Sequence, residues 1–336
     1  MNIIVPMAGL GKRMRPHTLT IPKPLIPIAG KPIVQRLVED IARVCGETVN
    51  EVNFIIHPSF GPDAEKRLAE IAASVGGRCK ISYQDKALGT AHAILCARES
   101  LKGNLVVAFA DTLFRADFRL GKGNPNTIWV QKVADPRAFG VVKLNHQGHI
   151  TDFVEKPEEF VSDLAIIGIY YFQDGEMLES ELQYLIDHDV KDKGEYQLTN
   201  ALENMKNKGI DFVPGEVDEW LDCGNKNATV HTNSRYLEYL PSEDLVSPDA
   251  RLHHSVIIPP VYIGPGAEIR NSVIGPHVSI GSGTRVESSV VEKCIVQENA
   301  VLKNAILNNS MVGNYASVRG SSADLSLGDY NDLQLS

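Results

Sequence analysis

The last third of the chain carries a short aliphatic repeat, and this repeat restricts the fold more than any other feature. From about Val256 onward, aliphatic residues recur at a near-regular step of five or six positions, with turn residues between them. A β-sandwich would instead alternate with a period of two and have longer loops. The short fixed period predicts a parallel β-helix, whose stacked coils bury one aliphatic ladder per face. The recurring residues are Ile263, Ile269, Ile274, Ile280, Val286, Val291, Val296, Leu302, Leu307, Val312 and Val318.

Strand patterns and helix patterns alternate through the first two thirds of the chain. The predicted strands are apolar and rich in β-branched residues, and the predicted helices have one apolar face. This order predicts an α/β fold with an open, mostly parallel sheet, which becomes mixed toward its end. Strands are predicted over residues 2–6, 52–56, 80–84, 105–110, 127–131, 141–144, 150–155, 165–172, 210–213 and 220–222. Helices are predicted over residues 33–45, 63–73, 90–101, 176–186 and 197–208.

The length of the chain agrees with this division into two parts. A chain of 336 residues is long enough for about two domains. With 43% hydrophobic and 22% charged residues, the composition is that of an ordinary globular protein. We predict a sheet domain over residues 1–240, a linker over 241–255, a β-helix over 256–320 and a polar tail over 321–336.

Composition also excludes several classes of protein. A net charge of −9 argues against a protein that coats nucleic acid through its bulk charge. No apolar run approaches the roughly 20 residues that span a bilayer, and the first residues do not resemble a signal peptide. The five cysteines are widely spaced and form no CxxC pair. We therefore expect no nucleic-acid or membrane partner, no disulfide framework and a cytoplasmic protein.

The charge is distributed unevenly along the chain. Residues 1–38 contain no acid but hold six basic residues, so an anion is expected to bind there unless the cluster is merely a solvated surface. A glycine turn, Gly9-Leu10-Gly11, follows the first predicted strand within this stretch. It matches neither the dinucleotide fingerprint nor the Walker loop, yet its bare backbone can approach a phosphate. Asp111 follows the strand at 105–110 and is predicted to lie at the same sheet edge, where ligands bind. The basic residues are Lys12, Arg13, Arg15, Lys23, Lys31 and Arg36.

The residues around this turn belong to a longer series of motifs. Segments 6–18 and 21–27 resemble the signature loop of the sugar-1-phosphate nucleotidylyltransferases. The version is most similar to the UTP–glucose-1-phosphate uridylyltransferase and glucose-1-phosphate thymidylyltransferase types. The resemblance covers residues 1–235, and the terminal repeat resembles the left-handed, hexapeptide-repeat β-helix that many members carry. One further motif consists of Gln84 and residues 88–93. The others are the segments 109–111, 139–142, 153–157, 168–170, 197–199 and 220–224.

This resemblance implies a Rossmann-like catalytic domain and a nucleotidyl-transfer reaction. A nucleotidyl group is expected to pass from UTP or dTTP to a sugar-1-phosphate, most readily glucose-1-phosphate, with release of pyrophosphate. Arg13, Lys23 and Asp111 are implied as catalytic residues, and Mg²⁺ is implied as a cofactor held by Asp111 and Asp222. The implied nucleotide-binding residues are Ala8, Gly9, Gly11, Lys12, Gln84, Gly89 and Thr90. The implied sugar-phosphate-binding residues are Gly140, Glu155, Lys156 and Thr199.

One departure from the family pattern and several alternatives stay open. Lys12 stands where the family usually has a small hydroxyl residue, and it either adds an ionic contact or points to solvent. GTP with mannose-1-phosphate, a bifunctional enzyme that also acetylates an amino sugar, and an inactive sugar-nucleotide sensor are the alternative functions. Three histidines near the β-helix are expected to be surface or packing residues: His253, His254 and His277. The coils themselves are expected to form a homo-oligomer interface.

Overall fold

The computed structural model of the chain describes residues 1–121, 123–241 and 245–320. The predicted polar tail, residues 321–336, lies outside these ranges. The chain divides into two units, of which the first is Met1–Thr232 and the second begins at Asn233. Within the described ranges, no helix combines the length and the apolar character needed to cross a membrane.

The first unit contains thirteen strands within the described ranges, together with α-helices that alternate with many of them. The strands are β1 (Asn2–Pro6), β2 (Pro27–Ile28), β3 (Lys31–Pro32), β4 (Glu51–Ile56), β5 (Arg78–Tyr83), β6 (Leu105–Ala108), β7 (Thr112–Arg115), β8 (Asn126–Lys132), β9 (Gly140–Leu144), β10 (Ile150–Glu155), β11 (Leu164–Phe172), β12 (Phe212–Gly215) and β13 (Glu219–Asp222). The helices are α1 (Ile33–Val44), α2 (Gly61–Ser74), α3 (Thr90–Leu95), α4 (Gly175–Asp187), α5 (Leu198–Asn207) and α6 (Lys226–Tyr239), and α6 continues into the second unit.

The main sheet of this unit has a parallel half and a mixed half. Strands β6, β1, β4 and β5 lie side by side and run parallel, which confirms the predicted parallel core. On the other side of β6, β11 runs antiparallel to β6, β8 and β9, and β10 is antiparallel to β9. The apolar sequence of β1 explains its central position, because Ile3, Ile4 and Val5 are all fully buried.

Helix α6, strand β7 and the short β2–β3 pair were not predicted from the sequence. Helix α6 reads KNATVHTNSRYLEY, which lacks the regular apolar spacing of an amphipathic helix. Strand β7 follows Asp111 directly and is four residues long, and it pairs antiparallel with the distant β13. The predicted helix over 90–101 is shorter than expected, because α3 ends at Leu95 and a separate 3₁₀ turn covers Arg98–Ser100.

The repeat in the last third forms the predicted β-helix. Between residues 245 and 320 its strands pair only in parallel, and Ile269 stands in register with Leu252 on one side and Val286 on the other. These partners are 17 residues apart (252 to 269 and 269 to 286), so one coil is one residue shorter than three full hexapeptides. The coil begins at β14, before the predicted start at Val256. The strands are β14 (Arg251–His253), β15 (Val256–Ile257), β16 (Val261–Ile263), β17 (Glu268–Arg270), β18 (Val273–Ile274), β19 (Val278–Ile280), β20 (Arg285–Glu287), β21 (Val290–Val296), β22 (Val301–Lys303), β23 (Ile306–Val312) and β24 (Ser317–Arg319).

Two of the three histidines lie at corners of the coils. His254 has a φ of 46° and His277 a φ of 63°, both in the left-handed region. His254 stands one coil before Asn271, which has a φ of 48°, and asparagine and histidine tolerate this conformation better than most residues. Nε2 of His277 lies 2.9 Å from Oε1 of Glu238 on α6. These positions agree with turn and packing roles for both side chains.

We predict that the interior aliphatic ladder holds the coils together. Ile280 is fully buried between Ile263 and Val296, whereas Ile258 of the same unit is 41% exposed. Ile280→Ala should lower the free energy of unfolding by about 2–5 kcal/mol, because the buried side chain leaves a cavity. Ile258→Ala serves as the matched control and should cost less than half as much in the same urea titration. Equal losses in the two variants would contradict this arrangement.

Candidate active site

A cavity of about 420 Å³ opens at the carboxyl ends of the parallel strands. The segments that follow β1, β5 and β6 form its walls, which is where an open α/β sheet binds ligands. Every residue predicted to bind nucleotide or to act on its phosphates lines this cavity. These residues are Ala8, Gly9, Gly11, Lys12, Arg13, Lys23, Gln84, Gly89, Thr90 and Asp111.

The glycine turn after β1 forms one end of the cavity. Gly11 has a φ of 59°, and a Cβ atom at this position would lie 2.9 Å from Cβ of Lys23 and 3.0 Å from Cγ2 of Thr18. The Thr18 hydroxyl donates a hydrogen bond of 2.8 Å to the Gly11 carbonyl and closes the loop. Gly9, by contrast, has open space around its Cα. The loop itself therefore requires glycine at position 11, while position 9 leaves the backbone open toward the cavity.

Three positively charged side chains face this cavity, of which, among the residues that the structure describes, one is paired with a carboxylate and two are not. Lys23 is buried, and its Nζ atom lies 2.9 Å from Oδ2 of Asp111. Lys12 and Arg13 are exposed, and within the described part of the chain neither forms an ion pair. The short 3₁₀ turn Lys12–Met14 presents them, with Met14 buried beneath it as an anchor. Two unpaired positive charges thus stand beside one that a carboxylate already neutralises.

Gln84 and Gly89 form the opposite end of the cavity. The Gln84 amide is buried and donates a hydrogen bond of 3.2 Å to the Gly89 carbonyl. Its Nε2 atom also lies 3.1 Å from Nδ1 of His92, a residue of α3. Burial lowers the pKa of His92, so the neutral ring can accept this bond. His92 belongs to the motif quoted above but was not assigned a role; it orients the Gln84 amide.

A second cavity of about 350 Å³ adjoins the first. The two share four lining residues, namely Arg13, Thr90, Phe109 and Asp111. All residues predicted to bind the sugar phosphate line the second cavity, namely Gly140, Glu155, Lys156 and Thr199. Asp222 lines it as well. The structure therefore brings the predicted residues together in two groups that meet at Arg13 and Asp111. The roles assigned to them remain predictions.

Glu155 is the polar centre of the second cavity. Its carboxylate lies 3.1 Å from Nζ of Lys156 and accepts a hydrogen bond of 3.4 Å from the Thr199 hydroxyl. Gly140 leaves room for it, because a Cβ atom there would lie 3.2 Å from Oε2 of Glu155. Glu155 and Lys156 are held at the end of β10, which pairs with β9. A carboxylate beside an ammonium group can bind hydroxyl donors and a phosphate together.

Aromatic side chains complete the wall of the second cavity and were not assigned by sequence reasoning. Phe139 and Trp220 pack edge to face, with ring centroids 5.2 Å apart. Tyr170 also lines the cavity, and burial raises the pKa of its hydroxyl, which therefore stays protonated. All three belong to motifs that match the family, so the sequence marked their positions. Sequence alone does not distinguish an aromatic residue of the core from one that lines a cavity.

Pairing of β13 with β7 brings the two predicted metal ligands together. Asp222 stands opposite Thr112, the neighbour of Asp111, and the Cys223 amide donates a hydrogen bond of 2.9 Å to the Asp111 carbonyl. Burial raises the pKa of Asp222, and the negative charge of Asp111 adds to this effect. The Gly224 amide, which donates a bond of 2.8 Å to Oδ1 of Asp222, opposes it only in part. Two carboxylates are thus held close enough to repel each other.

The pair can supply hard oxygen ligands to a divalent cation. Within the described ranges, no group of three or more histidine, cysteine, aspartate or glutamate side chains could hold a metal ion. Further ligands would have to be water or phosphate oxygens, which is the coordination that Mg²⁺ favours in phosphoryl-transfer sites. The repulsion between Asp111 and Asp222 gives such a cation a physical reason to bind.

Comparison with known protein families identifies the fold that carries this site. The nucleotidyl transferase family matches residues 3–239. The chain belongs to this family. A second family, the GlmU-like C-terminal hexapeptide, matches residues 243–325, in agreement with the predicted β-helix. The resemblance and the fold class predicted from the motifs are therefore confirmed.

Several curated relatives of this nucleotidyl transferase share a quarter to a third of its residues. The Bifunctional protein GlmU of Methanococcus maripaludis is 32% identical, over 72% of this chain and 56% of its own. The chain thus spans little more than half the length of this relative. Glucose-1-phosphate thymidylyltransferase of Streptomyces antibioticus is 29% identical over 79% of this chain and 73% of its own. The enzyme of the same name from Streptomyces griseus is 28% identical over the full length of both.

A solved structure has the same fold. UDP-glucose pyrophosphorylase complexed with UDP-glucose aligns with a TM-score of 0.56 at 24% identity. The alignment covers 71% of this chain and 99% of that one. At this identity the likeness shows the fold alone.

We predict that ionised Asp222 destabilises the fold when no cation is bound. Its pKa is raised, so the folded protein binds the proton more tightly than the unfolded chain does. The cost is therefore present above the raised pKa and disappears as the pH falls below the ordinary pKa of a carboxyl group. Asp222→Asn should raise the melting temperature by a few degrees at pH 8 without divalent cations, because Asn can still accept the Gly224 bond.

The melting temperatures of both proteins, measured from pH 8 down to about pH 3.5, give the check. The gain from the substitution should shrink as the pH falls through the raised pKa of Asp222 toward the ordinary pKa of a carboxyl group. A gain that is undiminished at about pH 3.5, or a lower melting temperature at pH 8, would show that the charge of Asp222 is not the cause.

Proposed function

We propose that this protein transfers a nucleotidyl group from UTP or dTTP to a sugar-1-phosphate, with glucose-1-phosphate as the preferred acceptor. The observation that carries the proposal is the meeting of two cavities at Arg13 and Asp111. One cavity has the cations and the amide expected for a pyrimidine nucleotide, and the other has Glu155 and Lys156. A reaction that joins two phosphorylated substrates needs such adjoining sites.

In this reaction a phosphate oxygen of the sugar-1-phosphate attacks the α-phosphorus of the triphosphate. A new P–O bond forms there, and the bond between the α-phosphorus and the oxygen that bridges to the β-phosphate breaks, so that pyrophosphate leaves. Both substrates are polyanions, and the protein must offset their repulsion. Lys12 and Arg13, which carry no ion pair within the described ranges, are available to the triphosphate, and Lys156 is available to the sugar phosphate.

Asp111 and Asp222 are the residues that would hold Mg²⁺. When bound, this cation neutralises phosphate charge and orients the α-phosphate. The ammonium group of Lys23 occupies one oxygen of Asp111 at 2.9 Å. Lys23 therefore neutralises part of the negative charge of Asp111 and Asp222 from within the protein.

The preference for a pyrimidine rests on Gln84. A primary amide can both donate to and accept from the edge of a pyrimidine base. The Gly89 carbonyl and the neutral His92 ring hold its NH₂ group, which fixes the direction in which its oxygen points. Relatives named glucose-1-phosphate thymidylyltransferase agree with this preference. The choice between UTP and dTTP is left to the experiment below.

The cellular location and the partner are part of the same proposal. The five cysteines are free, as expected in a reducing cytoplasm. A second copy of the chain is the proposed partner, and its binding surface is a column of outward aliphatic side chains on the β-helix. Val256, Val290 and Ile306, which are 57%, 44% and 85% exposed, stand in this column in register with Val273.

The other two faces of the β-helix differ from this column. One presents alternating charges outward, with Arg270, Glu287 and Lys303 in register. The other is buried, and the Ser279 hydroxyl donates a hydrogen bond to Asn233 of α6. A continuous apolar column is self-complementary, so two copies can pack it against each other around a two-fold axis.

Pyrophosphate release, measured over a grid of triphosphates and sugar-1-phosphates with Mg²⁺, tests the proposed reaction. We expect turnover with UTP or dTTP and glucose-1-phosphate, and its loss when EDTA removes the cation. Asp111→Asn should lower kcat at least about a hundredfold, because one charged ligand of the cation is lost. Asp117→Asn, a change of the same kind on an aspartate outside both cavities, serves as the control.

Each other outcome of the grid has a distinct meaning. Turnover with GTP and mannose-1-phosphate alone would replace the pyrimidine assignment. No turnover with any pair, despite binding of a sugar nucleotide, would favour the sensor. An arm with acetyl-CoA and an amino-sugar phosphate tests the second activity that the GlmU-like match raises.

The self-association surface has its own test. Ile306→Asp should shift the protein toward the monomer in sedimentation velocity runs, because a buried, unpaired carboxylate is costly at an apolar interface. Ser317→Asp adds the same charge at an exposed position of β24, in the sheet that carries the charged face, and should leave the mass unchanged. A wild-type protein that is already monomeric, or equal effects of both variants, would contradict the proposed surface.

A further inference from the structure

The two cavities are connected by direct contacts between two chain segments. The segment before α3 contributes to the first cavity, and the segment before α5 contributes to the second. The Tyr196 amide donates a hydrogen bond of 2.8 Å to the Leu88 carbonyl, and the Ala91 amide donates one of 2.9 Å to the Tyr196 carbonyl. A Cβ atom at Gly89 would lie 2.4 Å from the Tyr196 oxygen, so the backbones touch. A shift of one segment must therefore displace the other.

Thr90 adds a side-chain connection to this backbone contact. Its hydroxyl accepts a hydrogen bond of 2.9 Å from the Leu198 amide and donates one of 3.2 Å to Oε1 of Gln197. Leu198 is the first residue of α5, and amides at this position have no partner within their own helix. Thr90 therefore caps α5 from the start of α3. Its hydroxyl is used within the protein, although sequence reasoning assigned Thr90 to the nucleotide.

Gln197 extends the connection back to the first cavity. Its side chain is buried, and its Nε2 atom donates a hydrogen bond of 3.1 Å to Oε2 of Glu195. Glu195 lines the nucleotide cavity, whereas Gln197 lines the sugar cavity. The next residue of α5, Thr199, donates a hydrogen bond from its hydroxyl to Glu155, the polar centre of the sugar cavity. These hydrogen bonds, joined by the peptide bond between Leu198 and Thr199, connect the nucleotide side with the sugar side.

We propose that Thr90 and Gln197 are positioning residues that make the two substrates bind synergistically. A nucleotide that orders the Gly89 loop also orders the start of α5 through Thr90, and with it Thr199 and Glu155. The sugar phosphate then binds a site that is already arranged, and its affinity rises. By linkage the sugar phosphate raises the affinity of the nucleotide by the same factor. The inference rests on the proposed function, because it takes the two ligands from it.

Isothermal titration with unreactive probes tests this coupling. The dissociation constant of glucose-1-phosphate is measured with Mg²⁺, in the absence and in the presence of saturating α,β-methylene UTP or its thymidine counterpart. In the wild-type protein we expect the nucleotide to tighten sugar-phosphate binding about tenfold. Thr90→Val keeps the shape of the side chain but removes the hydroxyl, and it should reduce this factor to about one or two. Thr90→Ser keeps the hydroxyl and should retain the factor.

Gln197→Met provides a second variant that leaves residue 90 itself unchanged, and it removes both the oxygen that accepts the Thr90 hydrogen bond and the nitrogen that donates to Glu195. It should also reduce the coupling factor, and it decides the matter if Thr90→Val does not fold. Coupling that survives in Gln197→Met and in folded Thr90→Val would overturn the proposal. So would a Thr90→Val protein that loses nucleotide affinity in the absence of sugar phosphate and keeps its coupling factor, because that pattern indicates direct contact with the nucleotide.

The wild-type titrations separate this inference from the proposed function. If the wild-type protein binds neither methylene analogue, the proposed function fails and the coupling fails with it. If it binds both kinds of ligand with affinities that do not depend on each other, the proposed function stands and the coupling is wrong.

Discussion

The burial of Asp222 beside the negative charge of Asp111 is the constraint on which the candidate active site depends. Antiparallel pairing of β7 with β13 holds these carboxylates together, and burial with mutual repulsion raises the pKa of Asp222. Such an arrangement is unfavourable in itself, so positive charge has to be supplied. Lys23 supplies it within the protein, and Arg13 lowers the local negative potential from the glycine loop. The proposed Mg²⁺ would supply the rest.

The net charge of the whole chain does not indicate the charge at the candidate active site. The net charge of −9 describes a surface that repels polyanions on average. The segment of residues 1–38 contains no acid, and its glycine turn carries Lys12 and Arg13 to the cavity. Local placement decides what binds, because fields between exposed charges are screened within about 10 Å in salt.

Much of the fold was predictable because local pattern and tertiary environment agree. Strand β1 was predicted with its observed bounds, since a β-branched run followed by a glycine turn is suited to a buried central strand. The β-helix was equally clear, because every coil repeats the same requirement for an inward aliphatic residue. Helix α6 was missed, since its burial comes from distant segments and leaves no regular apolar period. The hydrogen bonds of Thr90 to Leu198 and Gln197 were also not predicted, because both partners lie more than a hundred positions away in the chain.

The sequence by itself determined the two architectures and the acid-free opening, and its motifs named many of the polar residues that line both cavities. These depend on short-range pattern and on motifs whose members lie close together in the chain. Only the tertiary structure decided that Asp222 stands beside Asp111, that Lys23 is already paired and that Thr90 caps α5. Each of these facts joins residues 70 or more positions apart. A contact of that kind is set by strand order and packing, which no local window of sequence contains.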